Sequence, residues 1–476
     1  ESAMFGTKIA DEFFQVHTGG DIAFINGVLK VLMAQEGLDM RFIKEHTAGF
    51  DELRSELDAT PFETLERLSG ASYADMARFA AMYASASSAV LVWSMGITQH
   101  AHGSDNVTAI VNLALARGNV GRPGAGLMPI RGHSGVQGGA EMGAYATALP
   151  GGGPITPESA AALSDQYGFA VPTEPGLSAP EMLEAARRGD LDVLWSSGGN
   201  FLEVLPDPEL TREALERIPL RVHQDIVLSS QMLVDPGPEA EAVLLLPAAT
   251  RYEQRDGGTE TTTERRIIFS PEIPGPRIGE ARSEWEIFRD LARHVDPGHA
   301  HLVSMDSGQE LREEIAEVVP LYDGIQHLRD TGDQVQWGGE RLCDGWVFPT
   351  VDAKAHFSVV RPPEVDLPEG QFFLSTRRGK QFNTMVHKAR DPLTGAERDS
   401  VLMAAEDAEL LGLVDGEAVI VRSEYGELPA RVMLTAIKPS NVQMCFPEAN
   451  VLLPSGPRDE RSHIPDYNTT VEIVRV

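Results

Sequence analysis

The stretch Ala89–Asn119, AVLVWSMGITQHAHGSDNVTAIVNLALARGN, reads as an apolar strand, a polar loop and an amphipathic helix in succession. The run AVLVWSMG predicts a strand buried on both faces, because its apolar residues do not alternate with polar ones. The segment SDNVTAIVNLALARGN predicts the helix, with Ser104 as its N-cap. Strand, loop and helix in this order are the building unit of a parallel α/β sheet.

The same unit recurs downstream of this stretch. The segments LDVLWSSGGN, LRVHQDIVLSS and EAVLLLPAATRYEQRDGG each read as a buried strand that ends in polar residues. Residues 19–90 upstream are mainly helical, and GGDIAFINGVLKVLMAQEG carries a helical apolar stripe. A second helix, SYADMARFAAMYASA, is expected to begin at Ser72, with Asp75 as its capping partner. These patterns predict Rossmann-like α/β cofactor-binding regions.

Beyond residue 370 the pattern changes to short strands separated by turns: GQFFLSTRRGKQF, EAVIVRSEYGELPARVMLT, SNVQMCFPEANVL and TTVEIVRV. One helix, Ala405–Leu413, interrupts them, and the whole predicts a compact β-barrel. The opening residues ESAMFGTKIADEFF show no pattern that begins a domain, so the first domain is expected to be entered in its middle. The predicted organisation is an α/β domain over 1–145, a second α/β region over 146–345, a linker over 346–370 and a barrel over 371–476.

The charge, the apolar runs and the cysteines of the chain argue against several classes of function. The 476 residues carry a formal net charge of 40 − 71 = −31, which argues against nucleic acid because phosphate binding needs a basic surface. No window approaches the ~18 unbroken apolar residues of a membrane span, and a cytoplasmic protein is expected. The two cysteines, Cys343 and Cys445, lie far apart and form no CxxC pair. A zinc or iron–sulfur site held by this chain alone is therefore not predicted.

Polar or glycine-rich segments follow four predicted strands: SMGITQH after Trp93, SSGGNF after Trp195, HQD after Val222 and PAATRYEQRDGGT after Leu246. Ligands of open parallel sheets bind outside the carboxyl ends of the strands. The four segments together therefore predict a ligand site at this edge. Each alone has another interpretation, since Gly198 and Gly199 suit a tight turn, and Gln224 and Asp225 suit a helix cap.

The chemistry of these residues indicates a nucleotide-like ligand. The Asp225 carboxylate could accept two hydrogen bonds from a guanine edge or a ribose. Gly198 and Gly199 would let backbone N–H groups approach a phosphate closely. The predicted barrel adds three cations within four residues, namely Arg377, Arg378 and Lys380. Those cations suit either the neutralisation of a pyrophosphate or a solvated turn.

The loop Arg122–Gly143, RPGAGLMPIRGHSGVQGGAEMG, combines many glycines with four polar side chains, those of Arg131, His133, Gln137 and Glu141. Its GHSGV run lacks the final glycine of a nucleophile elbow. The chain also has no HExxH motif, no Walker loop and no GxGxxG that begins a helix. Hydrolytic and P-loop chemistry are therefore not predicted, and the His residues show no metal-ligand spacing.

The segments AVLVWSMGITQHAHGSDN and ALARGNVGRPGAGLMPIRGHSGVQGGAEMG resemble the molybdopterin bis(guanine dinucleotide) oxidoreductases, in their formate dehydrogenase H-like branch. The segments LSTRRGKQFNTM, AEDAELLGLVDGEAVIVRSEYGE and IPDYNTTVEI resemble that family's C-terminal dinucleotide-binding domain, a double-psi-like β-barrel. The resemblance implies a cofactor, bis-MGD, with molybdenum or tungsten, and two-electron oxidation or reduction of a small oxyanion. It also implies that a 4Fe–4S cluster and the protein ligand to the metal belong to a part N-terminal to this chain. That part and an electron-transfer protein are the expected partners, and this chain alone is expected to be inactive.

Position by position, the resemblance assigns contacts with the cofactor to residues at strand ends and in the barrel, namely Met95, Gln99, Gly198, Gly199, Asn200, Gln224, Asp225, Glu284, Arg378, Thr384, Phe446 and Asn468. Arg131 matches the active-site arginine of the formate enzymes, which would pair with a small anion. The glycines of its loop would pack against the planar cofactor, and its polar groups would form the walls of the reaction site.

His133 stands where the formate enzymes carry glutamine. An imidazole titrates near neutrality and a carboxamide does not, so the resemblance does not extend to formate as the substrate. Two other classes of function stay open from the sequence. One is a non-catalytic structural subunit that keeps the fold without the metal. The other is a nucleotide-binding α/β protein unrelated to molybdenum.

Overall fold

The computed structural model describes residues 10–132, 135–364, 367–379, 382–383, 386–392 and 394–476. The strands, numbered along the chain, are β1 Thr47–Ala48, β2 Val90–Trp93, β3 Gly126–Pro129, β4 Val193–Ser197, β5 Leu220–Asp225, β6 Ala242–Pro247, β7 Gly258–Thr261, β8 Arg266–Ser270, β9 Gln334–Gln336, β10 Ala355–His356, β11 Phe372–Arg377, β12 Phe382–Asn383, β13 Val386–His387, β14 Ser400–Met403, β15 Ala418–Arg422, β16 Glu427–Leu434, β17 Asn441–Cys445 and β18 Asn468–Arg475.

The α-helices are α1 Asp21–Ala34, α2 Met40–His46, α3 Phe50–Ala59, α4 Phe62–Ser69, α5 Tyr73–Ser85, α6 Met95–Thr98, α7 Gly103–Ala116, α8 Val136–Glu141, α9 Pro157–Tyr167, α10 Ala179–Arg188, α11 Phe201–Val204, α12 Pro208–Arg217, α13 Glu284–Val295, α14 Gly308–Val318 and α15 Ala405–Leu411. Short 3-10 helices occupy Ser230–Leu233, Arg251–Glu253, Pro297–Val303, Pro320–Tyr322, Ile325–His327, Asp344–Trp346 and Glu448–Leu452. In the part of the chain that the structure describes, no helix is long and apolar enough to cross a membrane.

The chain divides into two compact units. Unit 1 comprises the residues up to Met128, the short segment Leu202–Leu210, and Cys343–Val476. Unit 2 comprises Pro129–Phe201 and Thr211–Leu342. Each unit is therefore assembled from separate stretches of the chain.

The helical part of unit 1 packs around α1. Val28, Leu29 and Leu32 on this helix are almost fully buried in an apolar core, and a buried side chain of this size stabilises the fold by about 1.5–3 kcal/mol. The predicted start of α5 is confirmed. The Ser72 hydroxyl accepts a hydrogen bond from the Asp75 backbone N–H, and the Asp75 carboxylate accepts one from the Ser72 N–H.

Two expectations for Ala89–Asn119 are wrong in detail. Strand β2 exists, but Val90 and Val92 are 50% and 52% exposed, so it is not buried on both faces. It pairs only with β3 in a two-stranded sheet of the described chain, and its Leu91 face packs on the core. Helix α7 begins one residue before Ser104, after His102. Ser104 therefore lies within the first turn and is not the N-cap.

The C-terminal part of unit 1 is a closed six-stranded barrel with the strand order β11-β17-β14-β16-β15-β18. The pairs β11–β17 and β14–β16 are parallel and the other neighbours are antiparallel. Closure leaves no strand edge unpaired. The interior is apolar, with Leu374, Val401, Val421 and Met444 fully buried. The predicted fold class, α/β followed by a double-psi-like barrel, is confirmed.

Unit 2 contains a parallel sheet of β4, β5 and β6, in this order. The predicted alternation is thus correct, with helix α10 before β4, α12 between β4 and β5, and α13 after β6. A second, antiparallel sheet consists of β7, β8 and β9. Ile267 and Phe269 on β8 bury against Tyr322 and Ile325 to form a separate small core. In the parallel sheet, β4 and β5 are direct neighbours, so their polar ends lie side by side at one edge.

Candidate functional site

One cavity of unit 1, of about 410 Å3, collects residues from the loop after β2 and from the barrel. Four predicted cofactor residues line it, namely Met95, Gln99, Arg378 and Asn468. Met95 begins α6 directly after β2, and Gln99 ends that helix. Arg378 follows β11, and Asn468 begins β18, where Ser375 of β11 is its register partner. The antiparallel pairing of β11 and β18 therefore brings both barrel residues to the same rim.

Arg378 lines this cavity and has no carboxylate partner among the described residues. Its guanidinium carbon lies 4.1 Å from the centroid of the Phe446 ring, and its Nη1 lies 3.9 Å from the sulfur of Met95. The Phe446 ring in turn packs edge-on against Tyr467, with 5.9 Å between the centroids. Three predicted residues, Met95, Arg378 and Phe446, are thus in direct contact around one cation.

The other cations predicted in this turn, Arg377 and Lys380, are not available to a ligand in the way that Arg378 is. Arg377 donates to Asp391 at 3.1 Å, and the Asp391 side chain is 1% exposed. Because a buried carboxylate needs a compensating charge, Arg377 is committed to the interior of the barrel. Lys380 and Thr384 lie outside the described residues. Of the described cations in this turn, Arg378 alone is left to meet a ligand.

The loop and barrel sides of the cavity are joined by hydrogen bonds. The amide nitrogen of Asn468 lies 3.1 Å from the Gln99 carbonyl oxygen and 3.0 Å from His100 Nδ1. His100 Nε2 lies 2.8 Å from the Gly96 carbonyl oxygen. Asn468 therefore fixes the loop after β2 against the barrel.

Sequence reasoning missed other polar groups of this cavity, namely His17, Asp21 and His100. Asp21 begins α1, the helix that follows a Gly19–Gly20 pair. Burial raises the pKa of the Asp21 carboxyl, and the nearby His100 lowers it. A glycine pair directly before a helix was the available signal, since such a loop presents backbone N–H groups at the helix start.

The second group of predicted residues lies in unit 2, at the ends of β4 and β5. Glu284 Oε1, at the start of α13, accepts hydrogen bonds from Ser197 Oγ at 3.0 Å and from Gln224 Nε2 at 3.2 Å. Gln224 is 0% exposed, and its Oε1 has no hydrogen-bond partner among the described residues. A buried acceptor without a donor costs stability, so this edge fits a ligand that supplies an N–H or O–H.

The turn after β4 contains Gly198 and Gly199, with φ of +68° and +75°. Both angles lie in the left-handed region that favours glycine. A Cβ at either position would meet nothing within 4 Å, so space for a ligand remains beside the turn. Asn200 is 3% exposed, and its amide donates to Ser230 Oγ at 3.0 Å. The structure therefore places the Asn200 side chain in the support of the turn.

The third group lies in the part of the glycine-rich loop that belongs to unit 2, from Pro129 onward. Arg131 follows β3, donates to its own neighbour Pro129 at 3.3 Å, and has no recorded ion pair within the described residues. Burial lowers the pKa of Arg131, and the charge of Glu141 raises it. His133 lies outside the described residues.

Glu141 holds the far end of this loop. Its carboxylate accepts a hydrogen bond from Gln137 at 2.8 Å and another from the Tyr322 hydroxyl. Burial raises the pKa of Tyr322, and the bond to Glu141 raises it further. A Cβ on Gly138 would come within 2.4 Å of Thr261 Oγ1. The helix α8, at the end of this loop, thus packs directly on β7.

The described residues contain no group of three or more His, Cys, Asp or Glu side chains arranged to hold a metal ion. In unit 1, the described residues provide a guanidinium without a carboxylate partner at Arg378. In unit 2, they provide an acceptor without a donor at Gln224 Oε1 and free space beside Gly198. A cation suits the phosphates of an anionic dinucleotide, and an orphaned acceptor beside an open glycine turn at a strand end suits its nucleoside. The residues of each unit, taken by itself, therefore fit part of such a group.

Comparisons with known proteins agree with this chemistry. Residues 5–294 match the family described as molybdopterin oxidoreductase, and residues 372–471 match the molybdopterin dinucleotide binding domain. Protein YdeP of Escherichia coli (strain K12) is 30% identical over 97% of this chain. The F420-dependent formate dehydrogenase 1 subunit alpha of Methanococcus maripaludis is also 30% identical over 97% of the chain.

The chain spans 64% of YdeP and 69% of the formate dehydrogenase subunit. Among solved structures, acetylene hydratase from Pelobacter acetylenicus superimposes with a TM-score of 0.69 over 98% of this chain and 72% of the hydratase. The sequence identity is 16%, so this likeness shows the fold alone.

Proposed function

Because the chain belongs to the molybdopterin oxidoreductase family, we propose that it binds a molybdopterin guanine dinucleotide with molybdenum or tungsten. We further propose that it supports the two-electron oxidation or reduction of a small oxyanion, in a formate dehydrogenase-like enzyme. When bound, such a cofactor supplies a metal centre that takes up or gives up two electrons. The residues of this chain would bind the cofactor, position the substrate and control protons.

The observation that carries the proposal is the environment of Arg378. A guanidinium over the ring of Phe446, with no carboxylate partner among the described residues, faces a cavity lined by Met95, Gln99 and Asn468. Arginine binds phosphate through paired N–H donors. We assign Arg378 to the phosphates of the dinucleotide, and the residues of the loop after β2 to its pterin end.

The edge of the parallel sheet in unit 2 would receive a guanosine. Asp225 and the unpartnered Gln224 Oε1 are acceptors for the N–H groups of a base or the hydroxyls of a ribose. Ser197 and Glu284 hold the Gln224 amide in place. The Gly198 N–H donates to the Gln224 carbonyl oxygen at 2.8 Å, so of the two glycines it is the Gly199 N–H that would meet a phosphate, with open space beside it. These assignments give each residue of the strand ends a role in binding and none in the chemical step.

The substrate anion would meet Arg131. Its half-buried guanidinium has no ion pair among the described residues, and the loop that carries it is held by Glu141, Tyr322 and Gln137. A guanidinium that can donate two parallel N–H bonds would orient an oxyanion and stabilise charge that develops in the transition state. His133 would exchange a proton near neutral pH.

A second candidate is a structural subunit that keeps the fold and binds no metal. Among the described residues, Arg378 has no carboxylate partner and Gln224 Oε1 has no donor. Both observations favour the cofactor, since without a ligand this charge and this acceptor would stay uncompensated. Metal analysis decides between the two. Protein purified from a host that makes molybdopterin cofactors should contain molybdenum or tungsten, and the absence of both would support the structural role.

The role of the strand end is tested by Asp225→Ala. Loss of a hydrogen bond to a charged group costs about 1.5–3 kcal/mol, or about 10- to 150-fold in affinity. The variant should lose cofactor content and activity in parallel, so that activity per bound metal is nearly unchanged. A variant with full cofactor content and no turnover would contradict the assignment of Asp225 to binding.

A further inference from the structure

Residues 15–19, which we call the strap, connect two fixed points of unit 1. At one end, the Phe14 ring packs on the helical core, with 5.5 Å between its centroid and that of Phe79. At the other end, the Gly20 N–H donates to the His17 carbonyl oxygen at 2.8 Å in the turn before α1. The strap belongs to no helix or strand. Its position therefore depends on contacts with other elements.

Asn441, the first residue of β17, provides the main side-chain contact between the strap and the barrel. Its Oδ1 accepts a hydrogen bond from the Thr18 N–H at 2.9 Å, and its Nδ2 lies 2.8 Å from His17 Nδ1. The same Nδ2 donates to the Pro439 carbonyl oxygen at 2.9 Å. Asn441 is 4% exposed. One buried carboxamide therefore holds two consecutive strap residues on the barrel.

The strap lies at the boundary of two cavities of unit 1. Strap residues 16–19 line the cavity of about 410 Å3 that is proposed for the cofactor. A neighbouring cavity of about 390 Å3 shares Val16 and Thr18 with it. On the barrel side, the two cavities share Ser375 and Gln443, which are register partners on β11 and β17. The cavities therefore adjoin over this strand pair, with the strap between them.

The strap has free space on several sides. Thr18 also lines a third cavity, of about 230 Å3, together with His17 and Gly19. Gly19 has a φ of +81°, and a Cβ at this position would meet nothing within 4 Å. Folded interiors are close-packed, and a segment with few packing contacts opens locally at a low free-energy cost. The strap therefore has room to move, and the hydrogen bonds of Asn441 oppose that movement.

We propose that the strap retains the cofactor in the 410 Å3 cavity and that Asn441 controls how often the strap opens. With the strap closed, Val16 and Thr18 bound the cavity on one side. With the strap open, the two adjoining cavities would form one groove along β11 and β17, through which the cofactor could enter or leave. Segments that close over a ligand often set the rate of its release. This inference rests on the proposed function, because the retained group is the proposed cofactor.

Residue-resolved hydrogen exchange of the cofactor-free chain measures the opening of the strap. The His17 and Gly20 N–H groups donate to backbone carbonyl oxygens and not to Asn441, so their exchange reports on the strap and not on the contact that a substitution removes. Asn441→Ala should raise both exchange rates about tenfold, the effect of one or two net hydrogen bonds. Asn441→Asp keeps the acceptor for the Thr18 N–H and should have a smaller effect.

Asn450→Ala is the matched control. Asn450 is 2% exposed, and its Nδ2 donates to the carbonyl oxygens of Glu203 and Leu205, none of which lines the three cavities beside the strap. This variant should leave exchange at His17 and Gly20 unchanged, and melting temperatures show whether either variant has lost stability in general. A comparison without any substitution is also available, since binding of the cofactor to the unchanged chain should slow exchange at the same two positions.

Retention itself is measured as the metal left on the loaded protein after timed incubation and gel filtration. Asn441→Ala should lose metal about tenfold faster than the unchanged protein, and Asn450→Ala should not. Equal loss from the two variants would overturn the inference and leave the cofactor assignment in place, whereas protein that contains no metal from a competent host would overturn both. Unchanged exchange at His17 and Gly20 in Asn441→Ala would show that Asn441 does not control the strap.

Discussion

The carboxylate of Asp459, in the loop before β18, accepts hydrogen bonds from both the backbone N–H and the hydroxyl of Ser104, at 2.9 Å and 2.6 Å. Asp459 is 4% exposed and also accepts from Ser462. Burial acts to raise its pKa, but the bonds from Ser104 and Ser462 outweigh burial and lower the pKa to about 2. A barrel loop thus supplies the negative charge at the start of α7.

We expect Asp459→Asn to lower the free energy of unfolding at pH 7 by about 2.5 kcal/mol, as the shift from an unfolded pKa near 3.9 implies. Because the folded pKa is depressed, the stabilisation is present above about pH 4 and is lost as the pH falls towards 2. Urea unfolding at several pH values should show the variant and the unchanged chain converging over that window.

Asp399→Asn is the control, since Asp399 is 48% exposed and 3.7 Å from Arg431, and its effect should stay below about 1 kcal/mol. Equal pH dependence in the two variants would contradict the role of Asp459.

Arg377 and Arg378 are neighbours in sequence but should respond differently to replacement by alanine. Arg378→Ala should reduce cofactor affinity by about 10- to 150-fold, the cost of a charge-assisted bond, with an unchanged melting temperature. Arg377→Ala removes the guanidinium that contacts the buried Asp391 and should lower the free energy of unfolding by about 1–3 kcal/mol. Cofactor content and thermal unfolding are measured on both. The reverse pattern, an unstable Arg378 variant with normal cofactor affinity, would mean that Arg378 is structural.

Arg131→Lys should reduce turnover while cofactor content stays constant. Lysine keeps the charge, but it lacks the planar pair of N–H donors that would orient an oxyanion. Steady-state kinetics are measured per bound metal, and Arg266→Lys, an exposed arginine of unit 2, is the control. Full activity of the Arg131 variant would show that the reaction does not need the planar pair of N–H donors.

His133→Gln tests the residue that departs from the formate enzymes. We expect the unchanged protein to show a limb in its pH–rate profile near neutrality, where an imidazole titrates. The variant should lose this limb, since a carboxamide does not titrate, and its preference among small oxyanions should change. Should the profile and the preference both stay the same, His133 is a packing residue and our interpretation of the loop is wrong.

Local signals in the sequence were sufficient to predict much of the fold. The Ser72–Asp75 capping box spans four residues and was predicted correctly, whereas Ser104 was misassigned because its partner Asp459 is 355 residues away. The barrel was recognisable from short strands and turns. Its parallel pairing of β11 with β17 was not, because register between distant strands depends on tertiary packing.

For the candidate site, strand-end position was the useful signal. It led to Met95, Gln99, Gln224 and Asp225, all of which follow or end a predicted strand. It could not show that Arg377 is neutralised by Asp391, or that His223 is buried with neither ring nitrogen hydrogen-bonded to a described residue. Both facts depend on which side chains of other elements surround the residue, and a single sequence does not contain that information.

The hydrogen bond from Asn468 to Gln99 joins positions 369 residues apart, and this has a consequence for biosynthesis. At the ~5–20 residues per second of translation, roughly 20–75 s separate the synthesis of the two residues. Strand β18 also completes the barrel by pairing with both β11 and β15. A nascent chain therefore has no finished cavity in unit 1 until β18 has left the ribosome, so the cofactor would have to be loaded onto a fully made unit.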